Sequence, residues 1–162
     1  MATTVVYLVR HGQTEWNVQR RFQGFQDSPL TELGVRQAVW LGEALANERI
    51  DRIYVSSSAR ARRTAEIIRG ERDIELSDSD DLKEINLGVW EGITQDEAKI
   101  SDPQNFDHFW NDPERFRVRD GETFPDVEKR AVGMLSRIIR DNQGKSVMIV
   151  SHTVVVKLLM AY

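Results

Sequence analysis

The chain of 162 residues contains no cysteine. Disulfides, thiolate nucleophiles and cysteine-bound metals are therefore excluded, and a reducing compartment fits. No Asn-X-Ser/Thr acceptor occurs, and there are only three histidines and four prolines. Long apolar runs are also missing: "VVVKLLMAY" at 154–162 falls far short of the ~20 residues that span a bilayer. The N-terminal apolar run has no basic region before it and breaks at Arg10, unlike a secretory signal. A cytoplasmic protein without a membrane partner is expected. The formal net charge is -4, so no overall basic field draws nucleic acid. An anionic ligand would have to be held by a local cluster of positive groups.

The length suits one domain spanning 1–162 with a single sizeable core. Residues 5–9 are a continuous β-branched and apolar run, the pattern of a strand buried on both faces. Thr31 is placed to cap a helix over 32–48, with Ala38, Leu41 and Leu45 on one face. "RIYVS" at 52–56 reads as a strand, 59–69 as a helix stopped by Gly70, and 73–76 as a short strand. Residues 88–125 hold three of the four prolines and show poor periodicity, which predicts an irregular cap with short helices near 94–100 and 104–110. A helix over 124–142, a strand over 146–151 and a nearly all-apolar helix over 154–161 complete the pattern. This order predicts an α/β fold, a three-layer α/β/α sandwich on a mostly parallel sheet. The last helix has no stop signal before Tyr162, as a truncated C-terminus would have.

Ligands of such sheets sit at the carboxyl ends of the strands. Three stretches bring reactive or cationic residues there: "VVYLV" runs into Arg10-His11, "RIYVS" runs on to Arg60, and "SVMIV" runs into Ser151-His152. Glu84, in "DLKEINLGVWEG", is a fourth candidate, with Asp80, Asp81 and Glu91 as competing carboxylates. This set has the parts for phosphoryl transfer. Arg10 and Arg60 can clamp phosphate oxygens bidentately, and a neutral His11 can attack phosphorus. His152, if protonated, can donate to the equatorial oxygens. A buried, protonated Glu84 can supply the leaving alkoxide with a proton. No cofactor is required, and no metal, because the arginines and an imidazolium carry the positive charge. His108, and the aromatics Trp90, Phe106, Phe109 and Trp110, are read first as packing residues of the cap. Arg115, Arg117 and Arg119 would share one side of an extended segment.

"LVRHGQTEWN", followed in order by "DSPLTELGVRQA", "SSARARRTAEII", "LKEINLGVWEG" and "IVSHTVVVKLL", resembles the motif series of the histidine phosphatase superfamily, the phosphoglycerate mutase-like fold. The likeness spans nearly the whole chain. It implies His11 as nucleophile, Glu84 as proton donor, and Arg10, Arg60 and His152 as the phosphate pocket. It also implies that Asn17, Gln23, Gly24 and Thr153 contact the phosphate or substrate. Thr153 departs from the glycine that often follows the second histidine in the family, and family members usually continue some tens of residues further.

With 67 residues between Glu84 and His152, the chain is short for a mutase. "SHTVVVKLLMAY" and "FDHFW" look more like the broad-specificity phosphatase branch. The resemblance thus implies a metal-independent phosphomonoesterase acting on small phosphorylated metabolites through a phosphohistidine. Alternatives are phosphoglycerate mutase activity, an α-ribazole phosphate phosphatase, and a phosphate-binding protein impaired by a short C-terminus. Nothing in the sequence fixes the oligomeric state.

Overall fold

A computed structural model describes residues 2–162. Four strands, β1 (Val5–Arg10), β2 (Arg52–Ser56), β3 (Glu75–Ser79) and β4 (Ser146–Ser151), form one all-parallel sheet in the order β1-β4-β2-β3. Seven helices surround or extend it: α1 (Glu15–Val18), α2 (Glu32–Ala44), α3 (Ala59–Arg69), α4 (Gln95–Ser101), α5 (Pro103–Asn111), α6 (Phe124–Asp141) and α7 (Thr153–Ala161).

The side-chain alternation of β4 builds two cores. Met148 and Val150 join Val9, Ile53 and Val55 beneath α2 and α3, where Ala38, Ala61, Ala65 and Ile68 pack. Val147 and Ile149 face the other way, against Val127, Ala131, Leu135 and Ile138 of α6 and Val155 and Leu159 of α7. This is the three-layer α/β/α architecture. The second core continues into the 88–125 segment, where Trp90 and Phe116 are buried with Phe106, Phe109 and Phe124 around them. Local signals set the helix starts. Thr94 and Thr123 form capping boxes with Glu97 and Asp126, and Thr31 caps α2 through the Gly34 N–H.

Several elements differ from the sequence reading; α2 ends at Ala44 and not at 48, and the short helix α1 stands in a stretch read as loop. β1 is an edge strand with only Val9 fully buried. Its apolar run is continuous because helices cover parts of both faces, and periodicity carries no information about lateral neighbours. β3 starts two residues later than expected, because its sequence ELSDS is polar and its pairing with β2 comes from backbone ladder bonds. The stretch around Arg115 is a 3-10 turn, not an extended strand, and Arg115 pairs with Asp112.

Ile149, fully buried at the centre of the sheet, tests the packing. Ile149→Ala is expected to lower unfolding free energy by about 2–5 kcal/mol. The exposed Met160 should tolerate alanine within about 0.5 kcal/mol. Urea titrations of both variants check this.

Candidate active site

β1 and β4 pair in register, with Arg10 opposite Ser151. The next residue on each chain is a histidine, and the His11 N–H bonds to the Ser151 carbonyl at 3.0 Å. The two imidazoles therefore meet edge to face, ring centres 5.0 Å apart. Both are buried.

Each ring is oriented by one polar contact. His11 Nδ1 lies 2.7 Å from the Gly12 carbonyl, which can only accept, so Nδ1 carries the proton and Nε2 keeps its lone pair. His152 Nε2 lies 2.7 Å from Ser56 Oγ. That hydroxyl already accepts the Ser58 N–H and has its own proton to give to Nε2. In the tautomer that takes this proton at Nε2, His152 Nδ1 carries the ring N–H, and among the described residues Nδ1 is buried with no partner. Burial is the largest influence on both rings and disfavours their charged forms, reinforced by the Arg60 guanidinium. His11 is pushed down to about 3, from an ordinary 6.5. His152 is held well below 6.5. The expected imidazolium is thus disfavoured, but a neutral His152 still presents an N–H donor.

Arg60, on the first turn of α3, is almost wholly enclosed. Its Nη1 donates to the Gln26 carbonyl at 2.6 Å and to Asp27 at 2.7 Å, and its Nη2 to the Gly24 carbonyl at 2.8 Å. The guanidinium is thereby anchored to the 24–27 loop, while Nε is buried without a partner among the described residues. Gly24 is needed here: its φ is +57°, and a Cβ would strike the Glu91 carboxylate. Arg10 is exposed and lines the cleft mouth.

Glu84 follows the turn after β3 and is buried. Its oxygens accept the Ile85 N–H at 3.0 Å and the Val154 N–H, in the first turn of α7, at 3.1 Å. Burial raises its pKa, and those backbone donors and Arg60 oppose the rise without cancelling it. Asn17 and Gln23 are fixed amides. The Thr14 N–H occupies Asn17 Oδ1 at 2.9 Å, and the Ser28 hydroxyl occupies Gln23 Oε1 at 2.8 Å. Both NH2 groups are left as donors for the cleft that the two residues line.

All nine candidate residues except His152 line one cleft of about 930 Å3, and His152 sits against His11 behind it. Phe22, Phe109, Trp110 and Leu158 supply apolar wall, while Glu114, Glu128 and Lys157 supply charge. His108, Arg115, Arg117 and Arg119 are not part of that lining. Sequence reasoning missed Ser56 and Asp27, whose partners lie 96 and 33 residues away, and Ser28, which holds Gln23 five residues before it. Among the described residues, no group of three His, Asp or Glu could hold a metal ion, and no helix is long and apolar enough to cross a membrane.

A neutral imidazole with a free Nε2, sharing one cleft with N–H donors and a buried carboxyl, is an arrangement suited to phosphoryl transfer through histidine. Known proteins agree. The family model described as histidine phosphatase superfamily (branch 1) matches residues 6–162. Phosphoserine phosphatase 1 of Hydrogenobacter thermophilus is 34% identical over 147 residues, covering 91% of this chain and 70% of that protein. A Yersinia pestis protein named "Probable phosphoglycerate mutase GpmB" is 35% identical, covering 91% and 68%. The solved structure of YhfR from Bacillus stearothermophilus superposes with a TM-score of 0.95 at 49% identity, covering 98% of this chain and 79% of that one. The chain belongs to the histidine phosphatase superfamily.

The lowered pKa of His11 has a consequence for stability. A group whose folded-state pKa is depressed stabilises the fold above its unfolded value and loses that contribution as pH falls. For His11 the window runs from 6.5 down towards 3. Wild type should lose about 2 kcal/mol more than His11→Asn between pH 7 and pH 5. Urea titrations at the two pH values measure the difference; equal losses would contradict a His11 buried in the neutral form.

Proposed function

We propose that the chain is a metal-independent phosphomonoesterase, a single catalytic domain acting on small phosphorylated metabolites, with His11 as nucleophile. The observation that carries the reading is the pinning of His11 Nδ1 by the Gly12 carbonyl, which leaves Nε2 unprotonated in a cleft that Glu84 also lines.

The phosphate group enters between the donors of Arg10, Arg60, His152 Nδ1, Asn17 and Gln23, with the Gly24 and Thr153 backbone at its edge. All of these side chains but the exposed Arg10 are held by hydrogen bonds before the substrate arrives, so little reorganisation is needed as charge spreads over the equatorial oxygens. His11 Nε2 forms a bond to phosphorus as the bond to the leaving oxygen breaks, and Glu84 gives that oxygen its proton. The alcohol departs, leaving phosphohistidine and a Glu84 carboxylate. That carboxylate then takes a proton from water as the water oxygen bonds to phosphorus. The P–N bond breaks, inorganic phosphate leaves, and neutral His11 and protonated Glu84 are restored.

Phosphatase and mutase share the first half of this cycle, and the named relatives include both. A cleft of about 930 Å3 leaves room for water beside the substrate, which favours water as the acceptor, because a mutase must exclude it from the phosphoenzyme. The mixture of apolar and charged wall residues suits varied leaving groups, as a broad-specificity enzyme requires.

Release of phosphate from p-nitrophenyl phosphate should persist in excess EDTA and fall by at least about 1000-fold in His11→Ala. With an alkyl phosphate ester the rate should decline on the alkaline side as Glu84 loses its proton. A profile still rising above about pH 9 would remove Glu84 from that role. Isomerisation of phosphoglycerate faster than phosphate release would replace the phosphatase reading with a mutase.

A further inference from the structure

We infer that Arg130, on α6, is a positioning residue for the proton donor, acting through the backbone that carries Glu84; the inference rests on the reading of Glu84 proposed above. Arg130 uses all five of its N–H donors. Its Nη1 donates to the carbonyls of Asp81 and Lys83 at 2.9 and 2.6 Å. Its Nη2 donates to the Glu84 carbonyl and to Glu122 Oε1, both at 2.9 Å, and its Nε to Glu122 Oε2 at 2.9 Å. Three of these contacts thus fall on the four residues that end at Glu84.

Glu122 completes the clamp from the far side of Glu84. Its Oε1 also accepts the Asn86 N–H at 2.9 Å, and its own N–H donates to the Asn86 carbonyl at 2.8 Å. Below the segment, the Ser151 hydroxyl at the end of β4 donates to the Leu82 carbonyl at 2.6 Å. Residues 83–87 form no helix or strand, so their carbonyls depend on such donors for their place. Arg130 and Glu122 are only 16% and 21% exposed, and the planar fork is matched bidentately by the carboxylate. The frame behind the clamp is α6, 18 residues long and capped at its start.

A residue that merely stabilised the fold would affect all substrates alike. One that aims a general acid should matter where the leaving oxygen needs a proton. An alkoxide does; a nitrophenolate departs well without one. Arg130→Met is expected to lower kcat on an alkyl phosphate such as glycerol phosphate by about 100-fold, and on p-nitrophenyl phosphate by less than about 10-fold. A lysine cannot reach five acceptors, so Arg130→Lys should show the same selectivity at smaller amplitude.

Glu84→Gln, measured on both esters, gives the reference profile. If Glu84→Gln loses equally on both, the reading of Glu84 fails and this inference with it. If Glu84→Gln is selective while folded Arg130→Met loses equally on both, only the positioning role is overturned. Folding is checked by a cooperative urea transition and by vanadate affinity. Should Arg130→Met fail to fold, Glu122→Gln, which loosens the same clamp, takes its place: a loss confined to the alkyl ester supports the inference and a uniform loss overturns it.

Discussion

The parallel ladder between β1 and β4 is the constraint on which the site depends. It fixes Arg10 opposite Ser151, so that each strand hands its next residue, a histidine, to the same edge of the sheet. Neither histidine would have its neighbour without that register, and a slip of one residue would turn every side chain of β1 to the other face. The ladder is secured where chain entropy would oppose it most, between segments some 140 residues apart in sequence, by two cores that share β4. Packing on both faces of one strand therefore sets the geometry of the chemistry at its end.

Electrostatics follow from that placement. The same burial that holds the imidazoles together disfavours their protonated forms, and burial likewise raises the pKa of Glu84. The proposed nucleophile, which must be neutral, and the proposed acid, which must hold a proton, are thus both favoured by one low-dielectric environment. The polar cost is offset locally. Gly12 accepts from His11, Ser56 gives to His152, Asp27 balances Arg60, and the first turn of α7 gives an N–H to Glu84. Each contact also fixes which atom faces the cleft, so satisfaction of buried groups and orientation of the site are the same bonds.

Much of this could be read from the residues, and what could not has definite reasons. His11 and His152 were legible because each follows an apolar run with no turn residue between, so a strand model puts them at strand ends. Arg60 was legible for a similar reason, as the second residue of a helix that begins after β2. The helices over 59–69 and 124–142 carry strong amphipathic patterns, and they form within a residue of those bounds. By contrast, the edge position of β1 is a lateral relation that no run of residues encodes. β3 is polar and is defined by its partner. Ser56, Asp27 and Arg130 act through contacts with residues 96, 33 and 46 to 49 positions away, and a lone serine, aspartate or arginine has no periodic signature. The neutral state of His152 was likewise invisible, since it depends on burial beside Arg60.

The central claim is a covalent bond between His11 Nε2 and phosphorus. Its most direct test is rapid acid-free quenching of the protein during turnover of a phosphate ester, in denaturant at alkaline pH, where phosphohistidine survives, followed by mass spectrometry of the peptides. The account predicts one added phosphoryl group, confined to the peptide bearing His11, absent from His11→Ala and accumulating in a variant slowed at the hydrolysis step such as Glu84→Gln when p-nitrophenyl phosphate is the donor. A phosphoryl group found on another residue, or turnover by the wild type with no phosphorylated peptide even in that variant, would contradict it.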